Sequence, residues 1–139
     1  MANIVETAVS AGQFKTLANV LEAAGLLDIL NSPGPYTVFA PTDEAFAKIP
    51  ANAIASWMED IPKLKKIVAY HVVPGDVRSD DLIQIDEAPT LEGSIVAIEN
   101  SSNGVKVNDA KVVKQDILTD NGVIHVIDTV LMPAMVAFH

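Results

Sequence analysis

The hydrophobic period of this chain changes for good near Ala69, and that change limits the folds open to it. Before it, apolar residues recur at helical spacing. Phe14, Leu17, Ala18 and Leu21 fall at i, i+3, i+4, i+7, a stripe opened by Gly12 and closed by Gly25. A shorter stripe, Ile4, Val5, Ala8 and Val9, follows Asn3 as an expected N-cap, and Leu26, Leu27, Ile29 and Leu30 make a further apolar turn. Asn31-Ser32-Pro33-Gly34-Pro35 stops the helical pattern, because proline lacks the N–H and clashes with the preceding turn. The β-branched and aromatic run Tyr36–Ala40 reads as a strand ended by Pro41. Thr42 and Asp43 then offer side-chain oxygens to cap a short helix through Phe46 and Ala47, where Asp43 and Glu44 suit the helix dipole. Pro50 and Pro62 punctuate two more helical pieces. Ala51–Met58 carries Trp57, and Ile61–Val68 sets Leu64, Ile67 and Val68 opposite Lys63, Lys65 and Lys66.

From Ala69 onward the pattern is that of strands. Ala69–Val73 reads as one, closed by the turn Pro74-Gly75, and an acidic stretch from Asp76 to Glu92 follows with Arg78 as its only cation. Ser94–Glu99, Val105–Val107, Lys111–Asp116 and Val123–Asp128 read as four more, with Asn103-Gly104 a hairpin signal and Asn121-Gly122 a second tight turn. Helices first, one early strand among them, then an antiparallel block: this order means α+β rather than alternating α/β. Without repeats or linkers, residues 1–139 are expected to form a single domain.

Composition narrows the function. Half of the 139 residues are apolar and 19% are charged, which argues against disorder and for a core that needs no staple. The formal net charge of −9 repels phosphate backbones and anionic lipid heads, so neither nucleic acid nor a membrane surface is an expected partner. The absence of cysteine removes thiol catalysis, zinc ribbons and disulfide frameworks together. The start of the chain has no signal-peptide pattern, and its apolar stretches fall short of the ~18 residues of a membrane span. The residues themselves leave the compartment open, the cytoplasm included.

Catalytic patterns are absent. There is no Gly-x-Ser-x-Gly elbow, no phosphate-cradling glycine loop and no His-x-x-x-His spacing. His71 and His125 stand among apolar neighbours in segments read as strands. With a nearby carboxylate such as Asp43 or Asp128 they would suit an acid–base pair or a metal. The alternative is two neutral core histidines with hydrogen-bonded ring nitrogens. Two histidines without a neighbouring nucleophile favour that alternative, so no catalytic residue, cofactor or metal is expected. The acidic run lacks the EF-hand pattern and reads as solvated loop charge. Asn100-Ser101-Ser102 fits a glycosylation sequon, which matters only in a eukaryotic secretory pathway.

Two longer segments carry a resemblance. Thr37-Val38-Phe39-Ala40-Pro41-Thr42-Asp43-Glu44-Ala45-Phe46 resembles the first signature box of the fasciclin domain. Asn121-Gly122-Val123-Ile124-His125-Val126-Ile127-Asp128, with Val130-Leu131-Met132-Pro133, resembles the second. Tyr70-His71 between them resembles the family's tyrosine–histidine motif. The three matches come in the family's order and make residues of about 3–133 the signature core. Asp43 stands where many relatives carry asparagine.

The resemblance implies a wedge-shaped antiparallel β-sandwich with helices packed along one side, and signature roles for Thr42, Asp43, His125 and Asp128. It also implies a non-enzymatic adhesion module at the cell surface, in the periplasm or in the extracellular matrix, binding a protein or glycan as a monomer or weak homo-oligomer. Asp116-Ile117 and Tyr70-His71 match segments that in animal members are associated with integrin binding. Ile117 and Tyr70-His71 read equally well as packed side chains, which makes Asp116 the better contact. Two other readings remain beside adhesion: a small-molecule groove along the helical layer, and a hydrolase or metal site using His71 and His125. The apolar end, Leu131 to Phe138, is expected to dock on the domain or to form a subunit contact.

Overall fold

A computed structural model of the chain describes residues 4–101, 104–108 and 110–131. The helical stripes of the first half fold as read: α1 (Ile4–Ala11), α2 (Lys15–Ala24) and α3 (Leu27–Asn31) precede strand β1 (Tyr36–Pro41). Gly25 closes α2 in the left-handed conformation, at φ +74°, where a side chain would be strained. Then come α4 (Asp43–Ala47), α5 (Ala51–Glu59) and α6 (Ile61–Ala69). Pro62 belongs to the first turn of α6, where its missing N–H costs nothing, and Asp60 caps that helix by accepting from the Lys63 N–H.

The change of period comes slightly later than the sequence suggests. Residues Ala69–His71, read as the start of a strand, instead finish α6 and its turn, and β2 is only Val72–Pro74. The reason is that Leu64, Ile67 and Val68 continue one buried helical stripe, and the backbone closes over it through Tyr70 N to Lys66 O and His71 N to Val68 O. The acidic stretch likewise holds more structure than solvated loop. It contains α7 (Ser79–Leu82) and β3 (Glu87–Pro89), anchored by buried Leu82 and Ala88. Too few apolar residues mark these two elements for a periodicity to show.

β4 (Ile95–Ser101), β5 (Gly104–Val107), β6 (Ala110–Thr119) and β7 (Gly122–Ile127) complete the sheet, in the order β2-β1-β7-β6-β5-β4-β3. The α+β class holds. Within it, β1 and β7 pair in parallel, Tyr36 opposite Gly122 through Pro41 opposite Ile127, while the other neighbours are antiparallel. Leu91 N donates to Val72 O at 2.8 Å, so the sheet's two ends meet and the sandwich is close to a barrel.

Side chains of β1, β2 and β7 alternate between two cores. Val38, Ala40, Val72, Ile124 and Val126 pack against the helices, with Phe14, Leu64 and Trp57. Phe39, Val73 and Ile127 point the other way, into the space enclosed by the sheet, with Leu82, Val96 and Val107. The expected N-cap Asn3, the turn residue Asn103 and the apolar end beyond Leu131 lie outside the described residues.

Candidate functional site

The signature residues act as hydrogen-bonding ties between elements. Thr42 caps α4, its Oγ1 accepting from Ala45 N at 3.2 Å. Asp43 does not cap that helix. Its Oδ1 accepts from Thr16 N at 2.8 Å and so caps α2, whose own N-cap residue, Phe14, has no acceptor to offer. Asp128 closes the far end of β7: its Oδ1 accepts from Lys111 N at 2.8 Å, and its carbonyl accepts from Lys48 Nζ at 2.6 Å.

At the other end, Asn121 accepts from Ile4 N and donates to Ser32 O and Leu30 O, joining α1, α3 and the β6–β7 turn. Gly122 lies so close beneath β1 that a Cβ there would overlap the Tyr36 carbonyl oxygen. The sequence marks Asn121-Gly122 only as a tight turn. In fact Thr119 pairs with Gly122 and the turn is Asp120-Asn121. Asn121 is buried, and its amide fills a junction whose members are far apart in sequence.

Both histidines are internal. His71 Nε2 accepts from Leu131 N at 2.8 Å, which puts the ring proton on Nδ1, facing Ile67 O at 2.8 Å. Burial lowers its pKa to about 4, against the partial support of the Ile67 carbonyl. His125 takes the opposite tautomer. Asp116 N donates to its Nδ1 at 3.3 Å, and Nε2 donates to Val77 O at 2.7 Å. Its ring stacks on Phe39 with centroids 5.7 Å apart, and burial again lowers the pKa. With all four nitrogens engaged by backbone groups, neither ring offers a lone pair to a metal or a proton to a substrate. Among the described residues no three His, Asp or Glu side chains gather in a metal-binding arrangement. Tyr70 is buried as well. Its hydroxyl donates to Ile95 O at 3.2 Å and accepts from Asn108 Nδ2 at 2.9 Å.

Asp116-Ile117 differs from that pair. The register of β6 against β7 shifts twice, between Val112 and Lys114 and between Lys114 and Ile117. Asp116 sits in the second bulge at φ +57°, the left-handed region that aspartate tolerates better than most residues. Its side chain is exposed while its N–H is held by His125. Ile117, next in line, is half-buried against the helical core. The bulge therefore turns a carboxylate outward from a backbone fixed by a buried ring.

The sequence profile of the fasciclin domain matches residues 12–133. The chain belongs to the fasciclin family. It is 48% identical to the uncharacterized protein sll1735 of Synechocystis sp., over 95% of this chain and 98% of that protein. Immunogenic protein MPB70 of Mycobacterium bovis is 39% identical over 91% of this chain, which spans 61% of that protein. Human periostin is 34% identical over 88% of this chain, which spans 15% of it. Among solved structures, a domain pair from the insect cell adhesion molecule fasciclin I superposes with a TM-score of 0.84 over 96% of this chain and 52% of that one; at 20% identity this likeness speaks for the fold. No helix among the described residues is long and apolar enough to cross a membrane.

Proposed function

We propose that this fasciclin domain is a non-enzymatic interaction module that attaches to a protein or glycan at a cell surface or in extracellular material. The observation that carries this reading is the Asp116 bulge: an exposed carboxylate on a backbone held by His125, so contact need not order a flexible loop. Ile117 contributes by anchoring the bulge to the helical core. Tyr70 and His71 are structural in this reading and touch no partner, since burial withholds them from contact. The engaged histidine nitrogens weigh against hydrolase and metal readings. Family membership and the fold shared with a cell adhesion molecule support the adhesive role and an extracellular setting.

Asp116→Asn is the appropriate test, because asparagine also tolerates positive φ and removes only the charge. Asp116→Ala, by contrast, adds a left-handed penalty of ~1 kcal/mol that would confound the result. The expected outcome for Asp116→Asn is an unchanged melting temperature with at least a several-fold loss of attachment to surfaces that hold the native protein. Undiminished attachment would remove Asp116 from the contact.

A further inference from the structure

Three loops converge at one end of the sheet because of its topology. β1 and β7 run parallel and both begin there, while their antiparallel neighbours β2 and β6 end there. The loop before β1 (Pro33-Gly34-Pro35), the loop after β2 (Asp76 and Arg78) and the β6–β7 turn around Asp120 line an open cleft of about 330 Å³. The loops are tied to one another. Tyr36 N donates to Asn121 O at 3.0 Å, Gly75 N to Pro35 O at 2.9 Å, Asn121 Nδ2 to Ser32 O at 2.8 Å and Val77 N to Thr37 Oγ1 at 2.8 Å. A Cβ on Gly34 would collide with Asn121 O, so the close fit of loop on turn needs glycine there.

The chemistry of the lining is mixed in a particular way. Arg78 grips Asp76 with Nε and Nη2, at 3.0 and 3.1 Å, which fixes the guanidinium plane. That grip leaves out Nη1, whose N–H groups are further donors beside the negative charges of Asp116 and Asp81. Asp76 and the exposed Asp120 supply acceptors, and the rings of Pro33 and Pro35 supply apolar surface. Two carboxylates against one guanidinium, in a chain of net charge −9, disfavour an anion. Among the described residues no aromatic ring lines the cleft to stack a base.

We infer that this cleft binds one ring of a neutral sugar. Hydroxyl groups donate to the Asp76 and Asp120 carboxylates and accept from the Arg78 guanidinium, while a C–H face lies on the proline rings. The volume is at the lower end of the ~300–1,000 Å³ typical of small-ligand pockets, which suits one ring within the cleft. This deepens the interaction reading by naming a glycan and its site, and it uses residues other than Asp116.

The test is a titration of the full chain with methyl glucoside, methyl galactoside and methyl mannoside, followed by backbone amide shifts, with glucuronate as the anionic control. At least one neutral hexoside is expected to give saturable shifts in residues 33–36, 76–78 and 119–122. Arg78→Gln should weaken that binding about ten-fold, the loss of charge-assisted hydrogen bonding, and Asp120→Asn should weaken it several-fold. The inference is overturned if no hexoside gives saturable shifts there, if glucuronate binds as tightly, or if neither variant changes the affinity. Cell attachment plays no part in this experiment, so the sugar site and the Asp116 contact can each fail alone.

Discussion

His71 can satisfy both its neighbours in only one state: neutral, with the proton on Nδ1. Protonation would set a second N–H against the Leu131 N–H, inside a core that disfavours charge. With the folded pKa at about 4 and the unfolded value at 6.5, the unfolded chain binds more protons between those limits. Stability therefore falls as pH drops from about 6.5 to about 4, and this histidine alone accounts for a loss of about 3 kcal/mol. His125, also depressed by burial, contributes with the same sign. Urea denaturation at pH 7 and pH 4.5 should show the loss, and His71→Gln should lower stability at pH 7 while making the pH dependence shallower. An equally steep dependence in that variant would assign the effect elsewhere. The apolar neighbours of both histidines already argue, in the sequence, for core residues with bonded nitrogens. Their opposite tautomers are not legible there, because Leu131 and Val77 come from distant segments and Asp116 reaches His125 through a bulge that the sequence does not mark.

The cap of α2 comes from outside the helix. Phe14, at its N-cap position, has no side-chain acceptor, and Asp43 reaches it from the start of α4, 27 residues away. The first signature box thus divides its labour, Thr42 capping its own helix and Asp43 another. What α2 requires is an acceptor oxygen, which asparagine would also supply. Asp43→Ala should cost ~1 kcal/mol and lower the melting temperature by ~3–5 °C, whereas Asp43→Asn should cost about half that, since the hydrogen bond survives and only the charge at the helix N-terminus is lost. Equal losses would mean that charge, not the bond, matters. At this scale helices α1 to α6 and the last four strands are readable from period and turn signals, whereas α7 and β3 are not. The residues Ala69–His71 are not, because a buried stripe at a helix end and a short strand look alike over three residues. Nor does alternation in β1 reveal that its neighbour is the parallel β7, since period reports burial and not partner.

The two cores share one set of strands. β1 sends Val38 and Ala40 to the helices and Phe39 to the enclosed side, and β7 does the same with Ile124 and Val126 against Ile127. Neither core can loosen without moving the strands that line the other. Asn121 adds a second link, since it holds α1 and α3 to the sheet at the end where β7 begins. Separate melting of a helical layer and a sheet would break these shared contacts before either half gained much chain entropy. One cooperative transition is therefore expected, although helices and strands occupy different halves of the sequence. Trp57 reports on the helical core and the amides of β4 and β5 on the far side of the sheet. Tryptophan fluorescence and far-ultraviolet circular dichroism should give coincident urea transitions, and hydrogen exchange in β4, β5 and α6 should converge on one opening free energy. A fluorescence transition that precedes loss of protection in β4 and β5 would show two units, and would contradict the single domain expected for residues 1–139.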